Sequence, residues 1–314
     1  MAVAPLFTFA DPAIDESSGA AASSVTDDWF FTHNDSGDRA RFFVVDRQGT
    51  TLATYTLPVD AVDWEDMARG PDEQGRSALW FGDIGDNEAD RPSIVVYRVP
   101  EPEVDPDAVG AELSTPPPTR LELAYEDGPH DAETLLLHPV TGRLYVVTKS
   151  YFGPASVYAA PAPLRTDAVN RLEKVAELEI DPTGTPGGPS RLGSLAQVAV
   201  TGGAVAPAGD KVVLRTYTDA YEWVLAGDDL AGALASDRAR SVTPLPATEQ
   251  GEAIAYSRDG ASLVTTAEGG GAPVYVLPSA IPPGSGPEPG AAVAGVGAAV
   301  LAVGAALGAT LAAG

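Results

Sequence analysis

The sequence predicts an all-β fold, a β-propeller of five recognisable four-stranded blades, and two observations carry that reading. One pattern recurs along the chain: an acidic or polar start, an apolar run, a turn, and a second apolar run. The starts are Glu16, Glu65, Glu133, Thr201 and Glu252, separated by 49, 68, 68 and 51 residues. Repeats of this length, each holding about four strands, suit propeller blades. The apolar runs are also short, rich in β-branched and aromatic residues, and bounded by Gly, Asp and Pro, as in strands joined by turns.

The clearest copy is residues 62–99, where Asp63-Trp64-Glu65-Asp66 leads to Ala78-Leu79-Trp80-Phe81, then Gly82-Asp83-Ile84-Gly85-Asp86-Asn87, then Ile94-Val95-Val96-Tyr97. Blade one spans 16–57. Blade two spans 63–126 and is interrupted by a Pro-rich insert at 100–118. Blade three spans 131–180, blade four 196–246 and blade five 252–278. Blade five lacks a fourth strand of its own. Leu6-Phe7-Thr8-Phe9-Ala10 reads as a strand and is expected to complete it, closing the ring. Residues 181–200 leave room for further strands, so a sixth blade is the alternative. The propeller domain is thus 1–280, followed by a Pro/Gly linker at 281–290 with almost nothing to pack.

Residues 291–314 carry no charge, and Thr310 is their only polar side chain. As a helix they would reach roughly 36 Å, enough for a hydrocarbon core of about 30 Å. Gly304-Ala305-Ala306-Leu307-Gly308 matches the small-residue pattern of pairing membrane helices. A membrane-associated or transmembrane helix is expected there. Residues 1–10 lack a basic start and a long apolar core, so they do not read as a secretory signal. A membrane-anchored propeller outside the cytoplasm is one expectation for location, and a cytoplasmic one the alternative.

The charge balance narrows the partners. Acidic residues number 44 against 19 basic, a formal net charge of −25, and only Lys149, Lys174 and Lys211 are lysines. Such a surface disfavours nucleic acid, whose binding needs a basic footprint. It suits metal cations or cationic partners. There is no cysteine, which excludes disulfide frameworks, thiol nucleophiles and cysteine–zinc sites. No Gly-x-Ser-x-Gly elbow or His-Glu-x-x-His pair is present.

Propeller geometry places the start of each inner strand and the end of each second strand on one face, around the central channel. Glu16, Glu65, Asp83, Asp86, Glu133 and Glu252 are the candidate metal ligands there, because oxygen-rich clusters suit calcium or magnesium. Asn34, Asp35, Lys149, Arg215, Tyr217 and Glu268 are the candidate ligand-binding residues. His33, His130 and Glu65 are the candidate proton-transfer groups. A structural reading competes, in which each recurring Glu fastens a neighbouring blade through backbone N–H groups.

Taken together, Glu16-Ser17-Ser18-Gly19 with His33-Asn34-Asp35-Ser36-Gly37-Asp38, Asp63-Trp64-Glu65-Asp66 with Gly82 to Asn87, and Asp131-Ala132-Glu133-Thr134 with Tyr145-Val146-Val147-Thr148-Lys149 resemble the phytase-like and SdiA-regulated bacterial propellers, a mostly uncharacterised group. The resemblance covers roughly residues 14–277 and implies the propeller fold and an exported protein. The fourth repeat departs from it, with Thr201-Gly202-Gly203 where an acidic residue is expected. The function expected is a monomeric, membrane-tethered propeller that binds a cation, Ca2+ foremost, or a cation-bridged small-molecule or protein ligand in an acidic funnel. The alternative is a metal-dependent hydrolase of phosphate or carboxylate esters.

Overall fold

The computed structural model describes residues 3–35, 37–236 and 240–286. Its strands, in chain order, are β1 (Phe7–Thr8), β2 (Ser17–Ala22), β3 (Trp29–Asn34), β4 (Arg41–Asp46), β5 (Thr51–Thr56), β6 (Trp64–Pro71), β7 (Ser77–Asp83), β8 (Ile94–Pro100), β9 (Ala111–Ser114), β10 (Thr119–Tyr125), β11 (Ala132–Leu137), β12 (Leu144–Thr148), β13 (Ala155–Ala159), β14 (Asn170–Leu178), β15 (Val200–Val205), β16 (Lys211–Thr216), β17 (Asp219–Val224), β18 (Arg240–Pro244), β19 (Ile254–Tyr256), β20 (Ser262–Thr265) and β21 (Pro273–Pro278). The described helices are one short α-helix, Leu230–Leu234, and a 3-10 turn, Gly193–Gln197. Residues 181–199 contain that turn and no strand, so the described residues form five blades.

Blade one is β2-β3-β4-β5, blade two β6-β7-β8-β10, blade three β11-β12-β13-β14 and blade four β15-β16-β17-β18. The ring closes as the sequence predicts: β1 pairs antiparallel with β21, Phe7 opposite Val274 and Thr8 opposite Pro273, completing blade five as β19-β20-β21-β1. The inner strands β2, β6, β11, β15 and β19 pack side by side around the axis.

Two features exceed the four-strand pattern. The Pro-rich insert supplies β9, which adds in parallel to the outer edge of blade one, Ala53 opposite Ala111. The start of β14 also pairs in parallel with β10, Leu123 opposite Asn170, and this joins blades two and three into one eight-stranded sheet. Both additions cover outer edges that would otherwise stand open.

Every blade is sandwiched between two others, which explains the unbroken apolar runs. Alternate residues on a strand point to opposite faces. Phe42 and Val44 on β4 therefore pack with Trp64, Leu79 and Phe81 of blade two. Their neighbours Phe43 and Val45 pack with Phe7, Phe9 and Val274 of blade five. Comparable cores fill the junctions of blades two with three, three with four and four with five.

The expected linker is docked at its start. Ile281 is buried, and its carbonyl accepts from the Lys211 ammonium. Residues 291–314 lie outside the described residues, and no described helix is long and apolar enough to cross a membrane.

Because β1 covers the outer edge of β21, a chain lacking residues 3–10 is expected to melt at lower temperature and to self-associate through the uncovered β21. Calorimetry with size-exclusion chromatography checks this; unchanged melting and a monomeric profile would contradict it.

Candidate functional site

The head of each inner strand is irregular in the same way. Pairing of β2 with β3 slips between Ser17 and Gly19, of β6 with β7 between Trp64 and Asp66, of β11 with β12 between Ala132 and Thr134, and of β15 with β16 between Val200 and Gly202. In blade five the Thr266 and Glu268 amides donate to the Ala253 and Gln250 carbonyls, a three-residue advance against two. The extra residue is Ser18, Glu65, Glu133 or Thr201 in the first four blades, and Glu252 in the fifth. A bulge of this kind re-aims one side chain out of the ladder.

This register corrects one sequence equivalence. Ser18, not Glu16, occupies the position of Glu65. Glu16 is exposed at the rim beside Asp15 and Asp38. It also decides the competing structural reading by residue type. The hydroxyls fasten blades: Ser18 Oγ donates to the Glu65 carbonyl, and Thr201 Oγ1 donates to the Gly251 carbonyl at 2.9 Å. The backbone staple expected of the glutamates is made instead by fully buried Asp66. Its carboxylate accepts from Met67 N at 2.8 Å and from Leu135 N at 3.0 Å, tying β6 to β11.

The three bulge glutamates converge on Lys149. The Lys149 ammonium pairs with Glu133 Oε1 and lies 5.6 Å from the Tyr217 ring centroid and 5.8 Å from that of Tyr151. Burial alone would lower its pKa, but Glu133, Glu252 and Tyr217 hold it above the usual lysine value. Burial raises the Glu133 carboxyl to about 8, against the pull of Lys149. Burial, then the Glu133 charge, pushes Glu65 and Glu252 well above the usual carboxylate range. Glu268 rises to about 7 through burial and the charges of Asp35 and Glu16. Glu133 Oε2 is buried with no hydrogen-bond partner among the described residues.

Against this cluster, carboxylate oxygens of Asp35, Asp63 and Glu65 all lie within 4.8 Å of one another. Asp35 follows β3, Asp63 precedes β6 and Glu65 is the β6 bulge, so two blades build the group. Gly85 makes room for it: a Cβ there would come 2.2 Å from Glu65 Oε1 and 2.4 Å from Asp63 Oδ2. The floor of the funnel therefore requires glycine at this position.

Other predicted site residues serve the scaffold. The Asp83 carboxylate accepts from Val62 N and Asp63 N at 3.1 Å and from Arg91 at 2.9 Å, positioning the acidic loop from behind. Asp86 accepts from the Asp90 and Arg91 amides. Asn34 donates to the Ala13 carbonyl and to Asp38. Arg215 is fully buried, its guanidinium donating to the carbonyls of Thr216, Ala253 and Thr266, and burial lowers its pKa to about 10 despite Glu252.

The first histidine lies elsewhere than the sequence suggests. His33 is enclosed edge-on against Trp64 and Phe81, and burial lowers it to about 4. A neutral ring in an aromatic core is a packing group. His130 Nε2 meets Asp127 at 2.9 Å and the Tyr158 hydroxyl at 2.8 Å. The residue that sequence reasoning passed over is Asp63. Its signal was present in the Asp63-Trp64-Glu65-Asp66 cluster, where two carboxylates join the triplet and the third binds backbone.

No protein-family model matches this sequence, and no curated protein does. Among solved structures the chain is similar to a chain of the nidogen/laminin complex, at 14% identity and a TM-score of 0.40, over 81% of this chain and 73% of that one. It is similar as well to XC5397 from Xanthomonas campestris, a gluconolactonase, at 15% identity and a TM-score of 0.40, over 80% of this chain and 68% of that one.

The buried glutamates give a pH dependence whose sign follows from proton linkage. Glu133 and Glu268 have folded pKa values of about 8 and about 7, above their ordinary 4.5. The folded state keeps protons that the unfolded chain releases, so this stability is complete below about pH 4.5 and is lost as pH rises through about 7 to 8. In metal-free buffer, melting temperature is expected to fall by about 5 °C between pH 5 and 8.5. Glu133→Gln should flatten the fall. A profile that rises over this range would contradict the assignment.

Proposed function

We propose that this propeller is a binding protein whose acidic funnel holds a divalent cation, calcium in the first instance, and through it an oxygen-rich ligand. The observation that carries the reading is the Asp35, Asp63 and Glu65 oxygen triplet, within 4.8 Å. That spacing is compatible with one ion taking oxygens at about 2.3–2.6 Å. The donor set is all-oxygen, which suits a hard cation, and the chain contains no thiol to favour a softer one. Repulsion supports the same reading. Glu65 feels the negative charges of Glu133, Asp35 and Asp63, with Lys149 opposing them. A bound divalent cation would relieve what one ammonium only partly offsets.

Roles then divide within the funnel. Asp35, Asp63 and Glu65 hold the ion. Lys149, fixed by Glu133 and flanked by Tyr151 and Tyr217, presents positive charge to an anionic group of the ligand. Titration calorimetry on the full chain is expected to show one calcium site. Glu65→Gln should weaken it at least tenfold, and a hundredfold excess of calcium over Kd should raise stability by about 2.7 kcal/mol. Heat-silent titrations with both calcium and magnesium, together with unchanged melting, would overturn the reading.

The uncharged stretch at 291–314 supports a second part of the proposal, that the propeller is tethered to a membrane by its C-terminal segment. The full chain is expected to partition with lipid vesicles and a chain ending at Pro283 to stay in water. Equal partitioning would refute the tether.

A further inference from the structure

The strand that closes the ring is shorter than the edge it covers. β1 has two residues, whereas β21 has six, and β1 pairs only with Pro273 and Val274. The outer strands of the other blades run for five to nine residues. Among the described residues none extends the pairing of β1 with β21 beyond Val274, and the seam between blades five and one is open there. A cavity of about 250 Å³ occupies it.

Part of its wall is apolar and aromatic, with Leu6, Phe7, Trp29, Phe30, Val264 and Val276, and the rest is polar, with Thr26, Ser257, Asp259 and Ser262 among the lining residues. Leu6 is left 41% exposed, a large aliphatic side chain standing in water beside two phenylalanines. Charge is present as well. Arg258 pairs with Asp27 through two contacts of 3.2 and 3.0 Å, which fastens the β19–β20 turn to blade one. Arg47, on the β4–β5 turn, lines the same cavity, and no carboxylate among the described residues pairs with its guanidinium. In a chain of net charge −25, an arginine without a carboxylate partner beside an aromatic cavity is a specific combination. Carboxylates bind guanidinium as charge-assisted, often bidentate pairs. Concave sites that are mostly apolar with a few convergent polar groups are the usual form of small-molecule pockets.

We infer that the seam between blades five and one is a second ligand site, separate from the funnel, for a small amphipathic carboxylate. Its aromatic or branched apolar body fills the space against Leu6, Phe7, Phe30 and Val276, and its carboxylate pairs with Arg47. The bound molecule supplies the contacts that a longer closing strand would otherwise make, so it also stabilises the closed ring by mass action.

The test uses 3-phenylpropionate and its uncharged counterpart 3-phenylpropionamide, which differ in the group meant to meet Arg47. Calorimetry and tryptophan fluorescence on the full chain are expected to show saturable binding of the acid and binding of the amide at least about tenfold weaker. Arg47→Gln should reduce the acid to the affinity of the amide while leaving calcium binding unchanged. Val276→Trp should fill the cavity and abolish binding of both. Leu6→Trp, at a partly exposed position, serves the same purpose should Val276→Trp not fold. The inference is overturned if neither probe binds, if acid and amide bind equally, or if a folded cavity-filling variant binds as the unmodified chain does.

Discussion

The bulge at the head of the inner strands is the constraint on which the site depends. A regular ladder would send successive side chains alternately toward the two neighbouring blades, where the cores already claim them. One inserted residue frees a single side chain per blade from that alternation and turns it toward the axis. Residue type then decides what the position does. Ser18 and Thr201 donate to the backbone of the following blade, whereas Glu65, Glu133 and Glu252 meet around Lys149. The same backbone feature thus acts as a rivet in two blades and as a source of charge in three.

Such a cluster is stable only if the surrounding structure absorbs its cost. Burying carboxylates disfavours the charged form, and each added carboxylate disfavours the next. Lys149 offsets part of this from the centre, while Asp83 and Arg91 lock the 62–63 loop from behind so that Asp63 faces Glu65. Asp66 ties β6 to β11 directly below. The carboxylate cluster is therefore held in place by groups outside it, and the repulsion of like charges is borne by the surrounding ring.

The fold and the convergence were legible because both follow from repetition. Short apolar runs at a blade-length spacing specify blades, and equivalent positions in successive blades must surround the axis. The short N-terminal run could be assigned because blade five had no fourth strand of its own. What escaped reading was register at single-residue precision. Glu16 aligns with Glu65 by composition, yet the bulge places Ser18 there, and no propensity marks a bulge against the turn residues next to it. The three carboxylates of Asp63-Trp64-Glu65-Asp66 look alike in sequence; alternation and the bulge separate them into Asp63 and Glu65, which meet Asp35, and backbone-bound Asp66. His33 was misplaced for a related reason. Next to Asn34 and Asp35 it reads as polar, but its position on β3 turns it between Trp64 and Phe81.

A ring of similar blades offers equivalent positions around one axis, so a single directional site requires that the symmetry be broken. Here it is broken by the residues rather than by the backbone. Blades one and two bring the Asp35, Asp63 and Glu65 triplet, and blade three contributes both Glu133 and the lysine that pairs with it. Blade four withdraws from the charge: Gly202 lies so close to the Glu252 carbonyl that a Cβ there would come within 2.4 Å of it, and Arg215 is spent on backbone carbonyls. Negative charge is therefore missing on the blade-four side, where Tyr217 stands beside Lys149. An ion held by the Asp35, Asp63 and Glu65 triplet would lie off-axis, and a ligand bridging it to the ammonium would bind in one orientation only. The departure of the fourth repeat from its siblings, which at first looks like a gap in the ring, is what gives the funnel a direction.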